Sequence, residues 1–244
     1  DLPPTFNALE ESQAQILLKQ AINKTLSFAE NEKGSPLSEA IDHIAQTQNE
    51  DQFSNILKNL ISEQRQMAMI LEKNFGVNGL YAALCQLFDI PAGVTEENLL
   101  IKACDPKYFD ESNLWKACKN LNDSDKKSDC DRANLIQSWL EKEPQERAKT
   151  WLEYKSAYLT TKNELRKTLV TKGIQEKQPD IFDILSAEAA RIQKSDNDLK
   201  SLKIANSTRD IFCIGEAILQ TYQKLKQDQA ALDFDDLILR TLNL

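Results

Sequence analysis

Past Pro179 this chain has no further proline and a single glycine, Gly215, all the way to Leu244. Proline breaks a helix by removing a backbone donor and clashing with the preceding turn, and glycine weakens one through its backbone entropy. A stretch so free of both sustains long helices, and two are expected, through Ile181–Ile192 and Leu199–Leu225. The bias is general. Six glycines and seven prolines punctuate the entire sequence, so turns are few and elements long.

The apolar residues repeat with helical spacing. Leu9, Ala14, Leu17, Leu18, Ala21, Ile22 and Leu26 recur three and four apart, the mark of an amphipathic helix. After a loop at Gly34 and Pro36, a short helix is expected through Leu37, Ile41 and Ile44. The next carries Phe53, Ile56, Leu57, Leu60 and Ile61, and another Met67, Ile70 and Leu71, ending near Gly76. Leu80 to Phe88 form one more, stopped by Pro91. Thr95-Glu96-Glu97 opens a helix with acidic residues at its positive end. Residues 105–131 are rich in Asp, Asn, Ser and Lys, and the least ordered loop is expected around Asn122 to Asp129. Pro144 suits the first turn of a helix running through Trp151 and Tyr158. No stretch alternates with the period of half-buried strands. The expected fold is all-α, a single multi-helix domain over residues 1–244 with strands marginal at most.

Composition narrows the function. A hydrophobic fraction of 41% with 28% charged residues describes a globule rather than a disordered tail. No apolar run is long enough for a membrane span. The first residue is Asp1, not methionine, and the apolar run Leu237-Ile238-Leu239, Leu242, Leu244 closes without a helix stop, so a piece of a longer protein is expected. The five cysteines are odd in number, widely spaced and without a Cys-x-x-Cys pair. That disfavours a zinc or iron–sulfur site and fits reduced thiols, several of them in the core, in a cytoplasmic protein.

Catalytic patterns are missing. There is no Gly-x-x-x-x-Gly-Lys-Ser/Thr phosphate loop and no dinucleotide fingerprint. His43, beside Asp42, is the single histidine, so neither a His-x-x-x-His metal pair nor a Ser-His-Asp triad can be drawn. No catalytic residue, cofactor or metal is expected within this chain.

The net charge of −8 argues against a surface coated with nucleic-acid contacts, yet one segment departs from it. Trp151 to Lys177 holds Lys155, Lys162, Arg166, Lys167, Lys172 and Lys177 against Glu153, Glu164 and Glu176, a net of +3. Its cations and hydroxyls suit phosphates, and its rings suit unpaired bases. A solvated face whose aromatics lie in the core explains the same residues.

Tyr158-Leu159-Thr160-Thr161-Lys162-Asn163-Glu164-Leu165-Arg166-Lys167-Thr168-Leu169-Val170-Thr171-Lys172 resembles the "FLT-K-x-G-x-x-RK-x-L-x-T-K" segment of AddA-type helicase–nuclease subunits, which repair double-strand breaks in bacteria. It departs from that pattern at Asn163 and at Glu164, which is read here as replacing the small glycine. Leu2-Pro3-Pro4-Thr5-Phe6-Asn7-Ala8-Leu9-Glu10-Glu11 is similar to the family's "LPPTFxVLDE". Leu232-Asp233-Phe234-Asp235-Asp236-Leu237-Ile238 resembles the "LDFDDLI" preceding the DExx-type ATPase motif. The three stand in the family's order, and residues 76–150 match nothing diagnostic.

The resemblance implies the helical insertion called subdomain 1B of a superfamily-one helicase, lying beside the DNA, with residues 232–244 as the junction to the motor domain. ATP, Mg2+ and the helicase and exonuclease centres would then belong to the rest of the parent, as would an AddB-type partner subunit. Lys162, Arg166, Lys167 and Lys172 are the expected phosphate contacts on duplex or single-stranded DNA, with Thr160 and Thr161 as neutral donors. Trp151 and Tyr158 are stacking candidates, at a spacing that suits the core as well. Asp233, Asp235 and Asp236 are expected to cap the last helix rather than to hold a metal. The rival expectation is an acidic helical module that binds a partner protein and touches no DNA.

Overall fold

The structure is a computed structural model that describes residues 7–91, 93–234 and 236, with the side chains of Glu50 and Ile61 outside that description. Leu2 to Phe6, Asp235 and Leu237 to Leu244 therefore lie outside the described residues. The chain is all-α. In order it forms β1 (Asn7–Ala8), α1 (Glu11–Asn31), α2 (Pro36–Thr47), α3 (Glu50–Ser62), α4 (Gln64–Lys73), α5 (Val77–Leu87), α6 (Glu96–Cys104), a 3-10 turn (Pro106–Tyr108) and α7 (Glu111–Asn122). There follow α8 (Lys127–Leu140), α9 (Pro144–Lys149), α10 (Trp151–Ser156), α11 (Lys172–Lys177), α12 (Pro179–Asp228) and β2 (Ala231–Leu232). The two short strands pair in parallel, Asn7 with Ala231 and Ala8 with Leu232. None of the described helices is long and apolar enough to cross a membrane.

Local chemistry explains the helix starts. Glu10 and Gln13 form a reciprocal capping box at α1. Ser35 Oγ accepts from Ser38 N–H and Pro36 takes the first position of α2. Thr95 Oγ1 accepts from Asn98 N–H at α6.

Two compact units result, Asp1–Leu84 with Ile204–Leu244, and Cys85–Lys203. We call them the terminal and the central unit. Residues 204–228 of α12 belong to the first and 179–203 to the second. The terminal unit's core is aliphatic: Leu17, Leu18, Ala21, Leu37, Ala40 and Ile44 pack with Ile214, Ile218, Tyr222 and Leu225. Gly215 lets α12 approach α4, because a Cβ there would stand 2.4 Å from Met67 Sδ. The central unit's core is aromatic. Trp139 and Tyr154 stack at 3.7 Å between ring centres, with Tyr158 edge-on to Tyr154 at 5.3 Å.

Three element expectations are corrected. Residues 105–131 are largely helical. Leu114, Ala117, Cys118 and Leu121 are buried at helical spacing on α7, and the polar residues there form its solvent face. Only a short turn separates α7 from α8, and Asp129 is 1% exposed rather than part of a loose loop. The helix begun at Pro144 divides at Thr150, whose Oγ1 donates back to Glu146 O at 3.2 Å, a bond that competes with regular helix and bends it. The two expected C-terminal helices are one. Asp196, in the polar stretch between them, bonds Lys155 and pairs with Lys200 one turn on, and no glycine or proline interrupts.

Candidate nucleic-acid interface

Tyr158 to Val170 form a tight hairpin, although no regular strand was expected. Leu159 and Leu165 make an antiparallel bridge. Thr160 N–H donates to Glu164 O at 2.8 Å, and Arg166 N–H to Tyr158 O at 2.9 Å. The turn closes with Asn163 N–H on Thr160 O, and Asn163 takes φ 60°, a left-handed conformation that asparagine tolerates better than most residues. The position needing a glycine's freedom is thus Asn163, not Glu164. Thr160 Oγ1 accepts from Lys162 N–H and Glu164 N–H, so this hydroxyl serves the turn as an acceptor.

Lys162, Arg166 and Lys167 all lie on this short segment, all three exposed, with Thr161 exposed at the tip. Lys172 opens α11 and Lys177 ends it, both exposed. Among the described residues none of these five cations has an acidic partner within ion-pair distance, whereas Lys155 is held by Asp196 at 2.5 Å. Lys155 is therefore spent inside the fold. Arg166 also serves the fold, since its Nε donates to Ser156 O at 2.9 Å at the end of α10. A cation suits the negative end of a helix.

The stacking candidates are corrected. Trp151 is 3% exposed and Tyr158 is 0%, so neither ring offers a face to a base. Their helical spacing reflects core packing. Burial, then the negative charge of Glu188, pushes the Tyr158 hydroxyl well above its ordinary range.

What holds the hairpin was not legible in the sequence. Asp129 Oδ1 accepts from Thr171 N–H at 3.2 Å, and its Oδ2 from Thr171 Oγ1 at 2.6 Å and Ser124 Oγ at 2.9 Å. One turn along α8, Arg132 donates to Ala157 O at 3.1 Å, to Thr168 O at 3.3 Å and to Leu169 O. Burial and then the neighbouring Arg166 charge pull the Arg132 guanidinium below its ordinary value, with Asp129 opposing them. An Asp-x-x-Arg pair in a polar stretch is too common a pattern to announce such a role.

Outside this segment several buried polar residues are tied into the fold. Arg147, 3% exposed, donates to Trp139 O, Leu140 O and Cys104 O and pairs with Glu111 at 2.8 Å. It thereby satisfies carbonyls at the ends of α8 and α6. Glu188 accepts from Tyr154 Oη at 2.6 Å and from two nitrogens of Arg191. His43 Nδ1 meets the buried Asp210, not Asp42. Asp233 Oδ1 accepts from Asp236 N–H at 2.9 Å in a helix-capping pattern, while Lys226 bridges both carboxylates. The five cysteines are free, with Cys85, Cys104 and Cys118 buried. Among the described residues no group of three His, Cys, Asp or Glu side chains is placed to hold a metal.

Compared with protein families, curated proteins and solved structures, the chain matches none of them.

Proposed function

We propose that this chain is a DNA-contacting helical insertion of the subdomain 1B kind, from an ATP-dependent helicase–exonuclease of the AddA type acting in double-strand break repair in the bacterial cytoplasm. The observation that carries the reading is the hairpin's display of Lys162, Arg166 and Lys167, with Lys172 and Lys177 following. All five cations are exposed and, among the described residues, none has an acidic partner within ion-pair distance. Cations left without partners attract phosphates and release condensed counterions on contact. With its rings buried, the segment touches backbone rather than bases, so binding is independent of sequence. ATP, Mg2+ and an AddB-type subunit would act with the parent protein.

Fluorescence anisotropy with a labelled duplex bearing a single-stranded tail tests this. Contacts from three to five cations give a log–log salt slope of roughly −3 to −5. Arg166→Glu with Lys167→Glu weakens binding at least about tenfold at low salt, since two favourable phosphate contacts become repulsive. Equal binding by this variant and the unaltered chain would remove the hairpin from the interface.

A second reading has its own observation. The terminal unit holds seventeen acidic against ten basic residues. It also has a groove of 320 Å³ lined by Ile56, Leu60, Met67, Ile70, Ile211 and Phe212. An acidic surface with an open apolar groove suits a protein partner. Under that reading the charge-reversed hairpin leaves the chain's association unchanged.

A further inference from the structure

We infer that Asp129 and Arg132 are positioning residues that present the 158–170 hairpin to DNA as a preformed array. The inference rests on the DNA-contacting reading above. Both side chains leave α8 one turn apart, and between them they grip the two roots of the same segment. Arg132 holds Ala157 O where the hairpin departs and Thr168 O and Leu169 O where it returns. Asp129 holds Thr171 through both its N–H and its hydroxyl, immediately before α11. Thr171 occupies the N-cap position of α11 but makes no side-chain cap of its own.

The hairpin's own bonds are few: Leu159 and Leu165 form its single bridge, and the turn depends on left-handed Asn163. A short two-stranded ribbon is marginal in water unless it packs against something else. Here the packing is supplied by Leu159, Leu169 and Val170, which are buried, and the polar anchoring by the α8 pair. Cations on a fixed frame bind without first losing conformational freedom; cations on a loose loop lose it on contact. The lysines thus supply the charge, and Asp129 and Arg132 supply the geometry.

Salt dependence separates the two roles. Lysines that touch phosphates set the slope of log K against log salt, whereas a positioning residue lowers K at constant slope because the same number of phosphates is neutralised. The experiment uses the tailed duplex with the unaltered chain, Arg132→Lys, Arg132→Gln, Asp129→Asn and Lys162→Ala. Amide hydrogen exchange is followed in parallel at Thr160, Asn163 and Arg166, with amides of α12 reporting the global fold.

We expect Arg132→Lys, Arg132→Gln and Asp129→Asn each to bind about fivefold or more weakly with an unchanged slope. The hairpin amides should exchange faster and those of α12 as before. Lys162→Ala should flatten the slope by about one without altering exchange. The inference is overturned if Arg132→Lys binds like the unaltered chain while Arg132→Gln flattens the slope, since Arg132 would then be a phosphate contact itself. It is equally overturned if hairpin exchange rises without loss of affinity, or if exchange is unaffected in every variant. Should Asp129→Asn fail to fold, as α12 exchange would reveal, the Arg132 variants decide the matter. If the unaltered chain does not bind at low salt, the DNA reading fails and the presenting role with it, and that result is distinct from all the others.

Discussion

The two units solve the same problem, an all-helical core, with different materials. The terminal unit relies on interlocking aliphatics and a close helix approach at Gly215, with an ion cluster at Lys226, Asp233 and Asp236 near the end of α12. The central unit runs polar groups through its interior, where Arg147 and Glu188 are buried beside a stacked Trp139–Tyr154 pair and Asp196 is buried against Lys155. Charge divides along the same line. Seventeen acidic against ten basic residues make the terminal unit −7, while the central unit has twenty-one against twenty. In the central unit buried cations are engaged with carbonyls or carboxylates. Arg132, Arg147, Lys155 and Arg191 are spent that way, whereas Lys162, Arg166 and Lys167 on the hairpin have no carboxylate partner among the described residues.

The sharpest way to break this comparison is to remove a buried ion from the central unit. Arg147→Ala leaves the Trp139, Leu140 and Cys104 carbonyls without their donor and Glu111 without its cation. The expected loss is about 3–5 kcal/mol, read in a denaturant titration by tryptophan fluorescence. All three tryptophans, Trp115, Trp139 and Trp151, lie in the central unit, so this signal reports that unit alone. A loss below about 1 kcal/mol would mean that water satisfies these groups as well as Arg147 does.

Alkali should separate the units next. Burial pushes the Cys104 and Cys118 thiols up to about 12 and the Tyr154 and Tyr158 hydroxyls well above their usual range. In the unfolded chain these groups ionise near about 8.5 and about 10. Because the folded values are raised, the contribution to stability is complete below the unfolded values. It is lost as pH rises through the window from about 9 to 12. Among the described residues the terminal unit has one group raised this way, Cys213. Tryptophan fluorescence should therefore report unfolding at a lower pH than the loss of helix in far-UV circular dichroism. Coincident transitions would show that the two units respond to alkali together.

The smallest effect lies in the terminal unit. Gly215→Ala gains about 1 kcal/mol of helix propensity but crowds Met67, at a cost of about 1–3 kcal/mol. A net loss of about 1 kcal/mol in thermal unfolding is expected, and Met67→Ala should make the alanine at 215 favourable. If Gly215→Ala stabilises the unaltered background, Met67 swings aside freely and the close approach is not what selects glycine there.

Much of the architecture could be read from the residues, because helix signals act over three or four positions. The sparse glycine and proline, the helix start at Thr95 and the first-turn proline at 144 all mark elements that form, whereas Pro36, read as loop, opens α2 behind its Ser35 cap. Polar composition misled where it concealed a period. The apolar positions 114, 117, 118 and 121 were present in the stretch read as loop, outnumbered by the residues of its solvent face. The candidate interface was legible only in part. Lys162, Arg166, Lys167 and Lys172 are exposed, but an aromatic at helical spacing can face either way, and Trp151 and Tyr158 face inward.

By itself, then, the sequence determined an all-helical chain and the place of its strongest concentration of positive charge, since propensity, capping and composition are local. Tertiary structure decided which of those charges remain available. Lys155 is held by Asp196, while Lys162, Arg166 and Lys167 are left without acidic partners among the described residues, on a hairpin whose roots Arg132 of α8 holds. Compensation of a charge depends on distance in space, and its partners here lie tens of residues away along the chain, beyond the reach of any local pattern.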